Sequence, residues 1–266
     1  DTKRKKVLIP AQLHPNYLQV LKTYLEPKNI TILNFSSPDD FNLDIESYVQ
    51  KFNEELAAVV FPYPDFYGNI NNYAAATKKA KELGIASIFV CDPHALALFK
   101  SPGELGADIA VAEGQPLGLP TSFGGPFLGL MAAKEKYIRI MPGRIVGQST
   151  DNNNNTGYLL TFQTREQHIR REKALSNICS NQGLMALAAT VYMSYMGPSG
   201  LRRIAELCYK KANYLKQKLS DLKNVKVLNN GLTFKEFCIQ LPCPSSQILE
   251  KLEKKNILGG LNLETF

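Results

Sequence analysis

The chain has 266 residues, 44% hydrophobic and 21% charged, a balance ordinary for a soluble globular enzyme and long enough to bury a sizeable core. Its net charge of +7 is spread along amphipathic stretches such as KKAKELG and YKKANYLKQKL, which read as solvated helix faces and argue against nucleic-acid binding. No apolar run approaches the ~20 residues of a membrane span and no signal-peptide h-region opens the chain, so no membrane role is expected. Five cysteines without a C-x-x-C pair point to a reducing compartment, the cytoplasm, and to no metal site.

In chain order, KVLIP at 6–10 reads as a buried strand, and 17–25 as a helix with Leu18, Leu21, Tyr24 and Leu25 on its apolar face. ITILNF at 30–35, a helix near 44–52 and the strand LAAVVF at 56–61 follow. The loop PYPDFYGN at 62–69 is broken by prolines and a glycine, and a helix over 70–83 leads to the strand ASIFVC at 86–91. Continuous apolar strands alternating with helices imply a mostly parallel sheet covered on both faces, with right-handed crossovers.

The stretch 108–183 is the most informative part. A short strand, DIAV at 108–111, passes into the Gly/Pro-punctuated loop GQPLGLPTSFGGP, then the apolar run FLGLMAA at 127–133 and a basic turn, MPGR at 141–144. Long loops with tight-turn residues inside a compact domain are usually functional. Gly124 and Gly125 read as a backbone requirement, with φ > 0 or close approach of another chain or ligand. Asn152 to Asn155 reads as a polar hairpin tip, and 164–173 as a charge run on a helix. His168 in that run has no nucleophile paired with it in sequence, which speaks against a general base. A long helix over 181–219 is interrupted at Gly197-Pro198. Short strands KVLN at 226–229 and KEFCIQL at 235–241, with a helix at 245–255, complete a small α+β module. The domains expected are thus 1–180, part of a large α/β domain, and 181–266, a linking helix with an incomplete small domain. The chain opens at Asp1 without methionine and stops at Phe266 in mid-pattern, so it reads as a fragment.

Three segments, EGQPLGLPTSFGGP, MPGRIVGQSTD and TREQHIRREKALSNICSNQ, resemble the P-proteins of the glycine cleavage system, the pyridoxal-phosphate-dependent glycine dehydrogenases (decarboxylating), and more specifically subunit 1 of the two-subunit bacterial form. The resemblance extends more loosely over nearly the whole chain. It implies the fold-type I plan of pyridoxal-phosphate enzymes: a mostly parallel large domain and a small α+β C-terminal domain. In that family a lysine in the loop after a sheet strand forms the Schiff base. The loop corresponding to it here, 112–117, reads Ala-Glu-Gly-Gln-Pro-Leu and holds no lysine. Lys134 and Lys136 come only after the next strand and read as solvated helix-start residues. Asp92 stands where catalytic relatives place the aspartate that pairs with the pyridine nitrogen, and it can equally cap the helix starting near Pro93. His94 is either a ring-stacking residue of a vestigial pocket or a polar boundary residue.

The resemblance further implies that subunit 2 carries the lysine and the pyridoxal phosphate, and that this chain completes the heteromer. Ser176 and Asn177 lie where related enzymes reach the partner's cofactor phosphate, although Ser176 can also cap the helix that follows. The charge run at 164–173 suits either subunit contact or the acidic H-protein, and Arg144 either a glycine carboxylate or an interface salt bridge. The activity implied is decarboxylation of glycine with transfer of the aminomethyl group to lipoylated H-protein. The rival is a non-catalytic assembly or regulatory paralogue; a self-sufficient enzyme is disfavoured by the lysine-free loop.

Overall fold

The computed structural model describes residues 3–141, 145–162, 167–174 and 182–265. Strands β1 (Lys6–Pro10), β2 (Thr31–Phe35), β3 (Leu56–Tyr63), β4 (Ala86–Cys91), β5 (Ile109–Glu113) and β6 (Gly129–Ala133) form one sheet in the order β2-β1-β3-β4-β5-β6. The first five run parallel, and β6 returns antiparallel to β5. The central strand β3 is buried almost throughout, which is why its sequence is a continuous apolar run with no alternation.

Helices α1 (Pro15–Leu25), α2 (Ile45–Gln50) and α3 (Ala74–Glu82) connect the first four strands. Pro15 opens α1, and His14 Nδ1 accepts the Asn16 N–H at 3.2 Å. Asp44 caps α2 by accepting the Ser47 N–H at 3.1 Å. The third helix begins at Ala74, not at Ile70 as its apolar pattern suggests. The preceding residues are captured elsewhere: the Ile70 N–H donates to Leu232 O, and Asn69 bridges to Thr233.

The core is aromatic. Phe61 of β3 lies 4.7 Å from the Tyr73 ring and 5.2 Å from that of Phe89, with Tyr48 against its other side at 6.1 Å. The buried tyrosines keep their hydroxyls satisfied on strand carbonyls, Tyr48 on Leu8 and Val60 and Tyr73 on Pro62.

Beyond the sheet, β7 (Ile145–Thr150) and β8 (Thr156–Thr161) form a hairpin whose tip is held by the Asp151 carboxylate, which accepts from Asn153, Asn155 and the Asn155 amide. The charge run is helical only in α4 (Gln167–Arg170) and a following 3-10 turn, with 163–166 outside the described residues. Helix α5 (Gly183–Ser220) is broken at Gly197, which takes φ +61° ahead of Pro198. Strands β9 (Lys226–Val227) and β10 (Ile239–Gln240) pair antiparallel, and α6 (Ser245–Glu253) follows. The expected strand 235–241 is therefore much shorter. Its leading backbone is bound to the loop after β3, where the Phe234 N–H donates to Gly68 O at 3.1 Å.

Lys134 and Lys136 are not merely solvated. Their Nζ atoms lie 3.1 and 3.0 Å from Asp108 Oδ1, a buried carboxylate whose other oxygen accepts from the Ser87 N–H. The turn after β6 brings both lysines back to the start of β5. No helix among the described residues is long and apolar enough to cross a membrane.

Candidate functional site

In an open parallel sheet, ligands bind beyond the carboxyl ends of the strands, where strand-to-helix loops converge. Four such ends meet here: Gln12 and His14 after β1, Asp65 after β3, Asp92 and His94 after β4, and Glu113 closing β5.

Asp92 directly follows β4. Its Oδ1 accepts the His94 N–H at 2.8 Å and its carbonyl accepts the Ala95 N–H at 3.1 Å, which turns the chain into a short 3-10 helix, Ala95–Ala97. Its Oδ2 is ion-paired with Nζ of Lys235 from the C-terminal module. His94 is buried, with Nε2 3.5 Å from the Tyr192 hydroxyl of α5. Burial lowers its pKa; Asp92 pulls the other way and Lys235 adds to the drop.

Glu113 ends β5 as a loop anchor. Its Oε1 accepts the N–H groups of Gln115 at 3.0 Å and Leu128 at 2.9 Å. The loop it gathers is packed from outside by α5. Leu117, Leu119, Leu128 and Ala189 form a buried cluster with Met185, Ala188 and Tyr192. Gly118 takes φ +82°, and a Cβ there would sit 2.6 Å from the Tyr192 ring, so only glycine permits this approach. Gly124, at φ +100°, faces open space and meets a backbone need alone.

Tyr17 of α1 stands at the same edge. Burial raises its pKa, and the charges of Glu113 and Asp92 raise it further. His14 sits between Tyr17 and Phe66, tilted against the first ring and edge-on to the second, each at 4.9 Å between ring centroids. Asp65, 3% exposed, accepts the N–H groups of Tyr67 and Asn69 on Oδ1 and the Asn69 side-chain amide on Oδ2, while burial pushes its pKa up to about 6. Asn69 in turn accepts from Asn229, which accepts the Cys238 N–H, so one polar network ties the C-terminal module to the strand ends.

The structure thus brings Asp92 and His94 together. Ser176, Asn177 and Arg144 lie outside the described residues, as does 163–166 of the charge run. His168 is exposed on α4, far in sequence from the strand-end groups. Sequence reasoning missed Lys235 and Asp65. The broken loop PYPDFYGN was a usable signal for Asp65, because a carboxylate among turn residues commonly binds backbone N–H groups. Nothing local marks Lys235.

Comparison with known proteins gives a consistent result. The family model described as glycine cleavage system P-protein matches residues 1–265. The probable glycine dehydrogenase (decarboxylating) subunit 1 of Desulforamulus reducens is 47% identical over 262 residues, 98% of this chain and 58% of that protein. The chain therefore spans well under two thirds of the length of such relatives. A solved glycine decarboxylase (P-protein) of the glycine cleavage system, in inhibitor-bound form, superposes with a TM-score of 0.88 at 36% identity, covering 96% of this chain and 57% of that one. An Escherichia coli cysteine desulfurase, 11% identical with a TM-score of 0.67 over 96% of this chain and 61% of its own, shares the fold alone. The architecture is that of fold-type I pyridoxal-phosphate enzymes.

The strand-end residues of this chain do not fit an imine-linked pyridoxal phosphate. The loop after β5 holds no lysine, Glu113 is spent on that loop, and Asp92 already holds a cation.

Proposed function

This chain belongs to the glycine cleavage system P-protein family, and on that premise we propose that it serves as the cofactor-free subunit of glycine dehydrogenase (decarboxylating). The observation that carries this reading is the end of β5, where a tethered glutamate, Glu113, stands and the following loop lacks an imine-forming lysine. Pyridoxal phosphate, held by the second subunit, supplies the electron sink for loss of the glycine carboxyl group. The aminomethyl group then goes to the lipoyl arm of H-protein, in the cytoplasm.

This chain's own part is structural support of the partner's site. Ser176 and Asn177 offer a hydroxyl, an amide and backbone N–H groups to the partner's cofactor phosphate, while Asp92 and His94 belong to a vestigial pocket. The division into 1–180 and 181–266 is part of the same reading. The first half of α5 supports a partner contact: residues 183–197 carry no charge, and Leu184, Leu187, Val191 and Tyr195 are exposed on it.

The test is glycine–bicarbonate carbon exchange by subunit 2, with and without the full-length protein containing this chain. Exchange that depends on both supports the reading, and exchange by subunit 2 alone at the same rate makes this chain an assembly factor. Alone with excess pyridoxal phosphate, the protein is expected to give no aldimine that borohydride fixes to one lysine. Stoichiometric fixing on Lys134 or Lys136 with loss of activity on their mutation would overturn the proposal.

A further inference from the structure

Both carboxylate oxygens of Asp92 are engaged within this chain, Oδ1 by the His94 N–H and Oδ2 by Lys235. We infer that Lys235 is a built-in counter-ion that locks Asp92, closes this strand end to cationic heteroaromatic ligands, and turns it into an ionic latch for the segment 232–238.

The latch is presented by fixed backbone on both sides of Lys235. Before it, the Phe234 N–H donates to Gly68 O at 3.1 Å, and Leu232 O accepts the Ile70 N–H at 2.8 Å. The Phe234 ring is fully buried, edge-on to Phe99 at 5.8 Å and packed with Ala95 and Ala205. After it, the Glu236 carbonyl lies so close to Gly68 that any Cβ there would collide with it. Lys235 thus approaches Asp92 from a segment whose position is set independently of the ion pair, which lowers the entropy cost of holding a long side chain in one geometry.

The pair is also partly withdrawn from water, with the carboxylate side chain 12% exposed and the lysine 30%. Removing one member of such a pair leaves a poorly solvated charge behind, so the two are coupled more strongly than surface ions. The groups beside Asp92 are spent as well. Tyr192 lies against both His94 and Gly118, and Glu113 holds its own loop. A ligand cation would have to displace Lys235 and part the module from the strand ends. The inference rests on this geometry and stands whether or not a partner carries the cofactor.

The experiment uses the full-length protein and amide hydrogen exchange, with the Phe234 N–H as reporter, in Lys235→Met, Asp92→Asn, the double variant and Lys235→Arg. Exchange at Phe234 is expected to accelerate about tenfold in each single neutral variant, no further in the double variant, and little in Lys235→Arg. Pyridoxamine 5′-phosphate, which presents a pyridine cation and forms no Schiff base through an aldehyde, is expected to leave exchange at His94 and Ala95 of the wild type unchanged at millimolar concentration. Unaltered Phe234 exchange in Lys235→Met, additive effects in the double variant, or protection of the wild type by pyridoxamine phosphate would each overturn the latch. None of these readouts depends on glycine–bicarbonate exchange, so failure here is separable from failure of the proposed function.

Discussion

One oxygen of Glu113 accepts the N–H of Leu128 at 2.9 Å across the whole of the Gly/Pro-rich loop, as well as that of Gln115 at 3.0 Å beside it. A single carboxylate at the end of β5 therefore closes the loop on both sides, in the place where the resemblance expects an amine to emerge. Backbone N–H groups bound to a charged acceptor are strong interactions, and losing the acceptor leaves them partly buried and unpaired. Glu113→Ala is expected to cost about 2–3 kcal/mol in urea unfolding, and Glu113→Gln, which keeps an acceptor oxygen, about 1 kcal/mol. Glu113→Lys is expected to be at least as damaging as alanine, because its cation would face N–H donors. Full stability in Glu113→Ala would show that this carboxylate does not anchor the loop.

Asp108 joins three strands through its contacts with Ser87, Lys134 and Lys136. Burial works to raise its pKa, but hydrogen bonds from Lys136, the Ser87 N–H and Lys134 outweigh it and hold the value below the ordinary carboxylate range. A depressed folded-state pKa contributes stability above the unfolded value, and loses it as pH falls through the folded one. Asp108→Asn is expected to destabilise by about 2 kcal/mol at pH 7, with the gap to wild type narrowing as the pH falls below the ordinary carboxylate range. Lys134→Met and Lys136→Met should each cost less than 1 kcal/mol, because the other lysine stays on Oδ1 and both are largely exposed.

Asp65 behaves in the opposite sense. Burial raises its pKa from 3.8 to about 6, against the hydrogen bonds from Asn69, Tyr67 and Asn71. With the folded value raised, its contribution is fully present below 3.8 and is lost as pH rises through about 6. A shift of about two units corresponds to about 3 kcal/mol. The stability of wild type relative to Asp65→Asn is therefore expected to fall by about that amount between pH 4 and pH 7. Chemical denaturation across that range measures it, and carbon NMR of the carboxyl group should show a midpoint near 6. The reverse slope would mean that the N–H donors dominate burial.

Ser176 carries the proposed contact with the partner's cofactor phosphate. Ser176→Ala is expected to weaken cofactor retention in the assembled complex by about 1–2 kcal/mol, the scale of one hydrogen bond to a charged group, with subunit association little changed. Spectrophotometric titration of the cofactor and analytical ultracentrifugation separate the two. Unchanged cofactor affinity with weaker association would make the loop an interface element only.

The amino-acid sequence by itself determined the strand and helix alternation from Lys6 to Cys91, because a strand buried on both faces must be continuously apolar and such strands in series can only join by crossovers. It also determined the absence of lysine from 112–117, the polar hairpin tip at 152–155 and the break at Gly197-Pro198, all of which are local chemistry. The segments 113–126, 141–151 and 164–182 carried the family resemblance, although Ser176 and Asn177, the site residues proposed in the last of them, lie outside the described residues.

Only the tertiary structure decided where the charges go. Lys235 meets Asp92, and Lys134 and Lys136 meet Asp108, across separations that no periodicity reports. The late start of α3 at Ala74 and the shortening of 235–241 to the ladder Ile239–Gln240 have the same origin. Their backbone groups are captured by one another, through Ile70 with Leu232 and Phe234 with Gly68. Apolar periodicity records which face of one element is buried. An ion pair or a captured N–H depends on what a different element brings to it, and that is settled only when the chain folds back on itself.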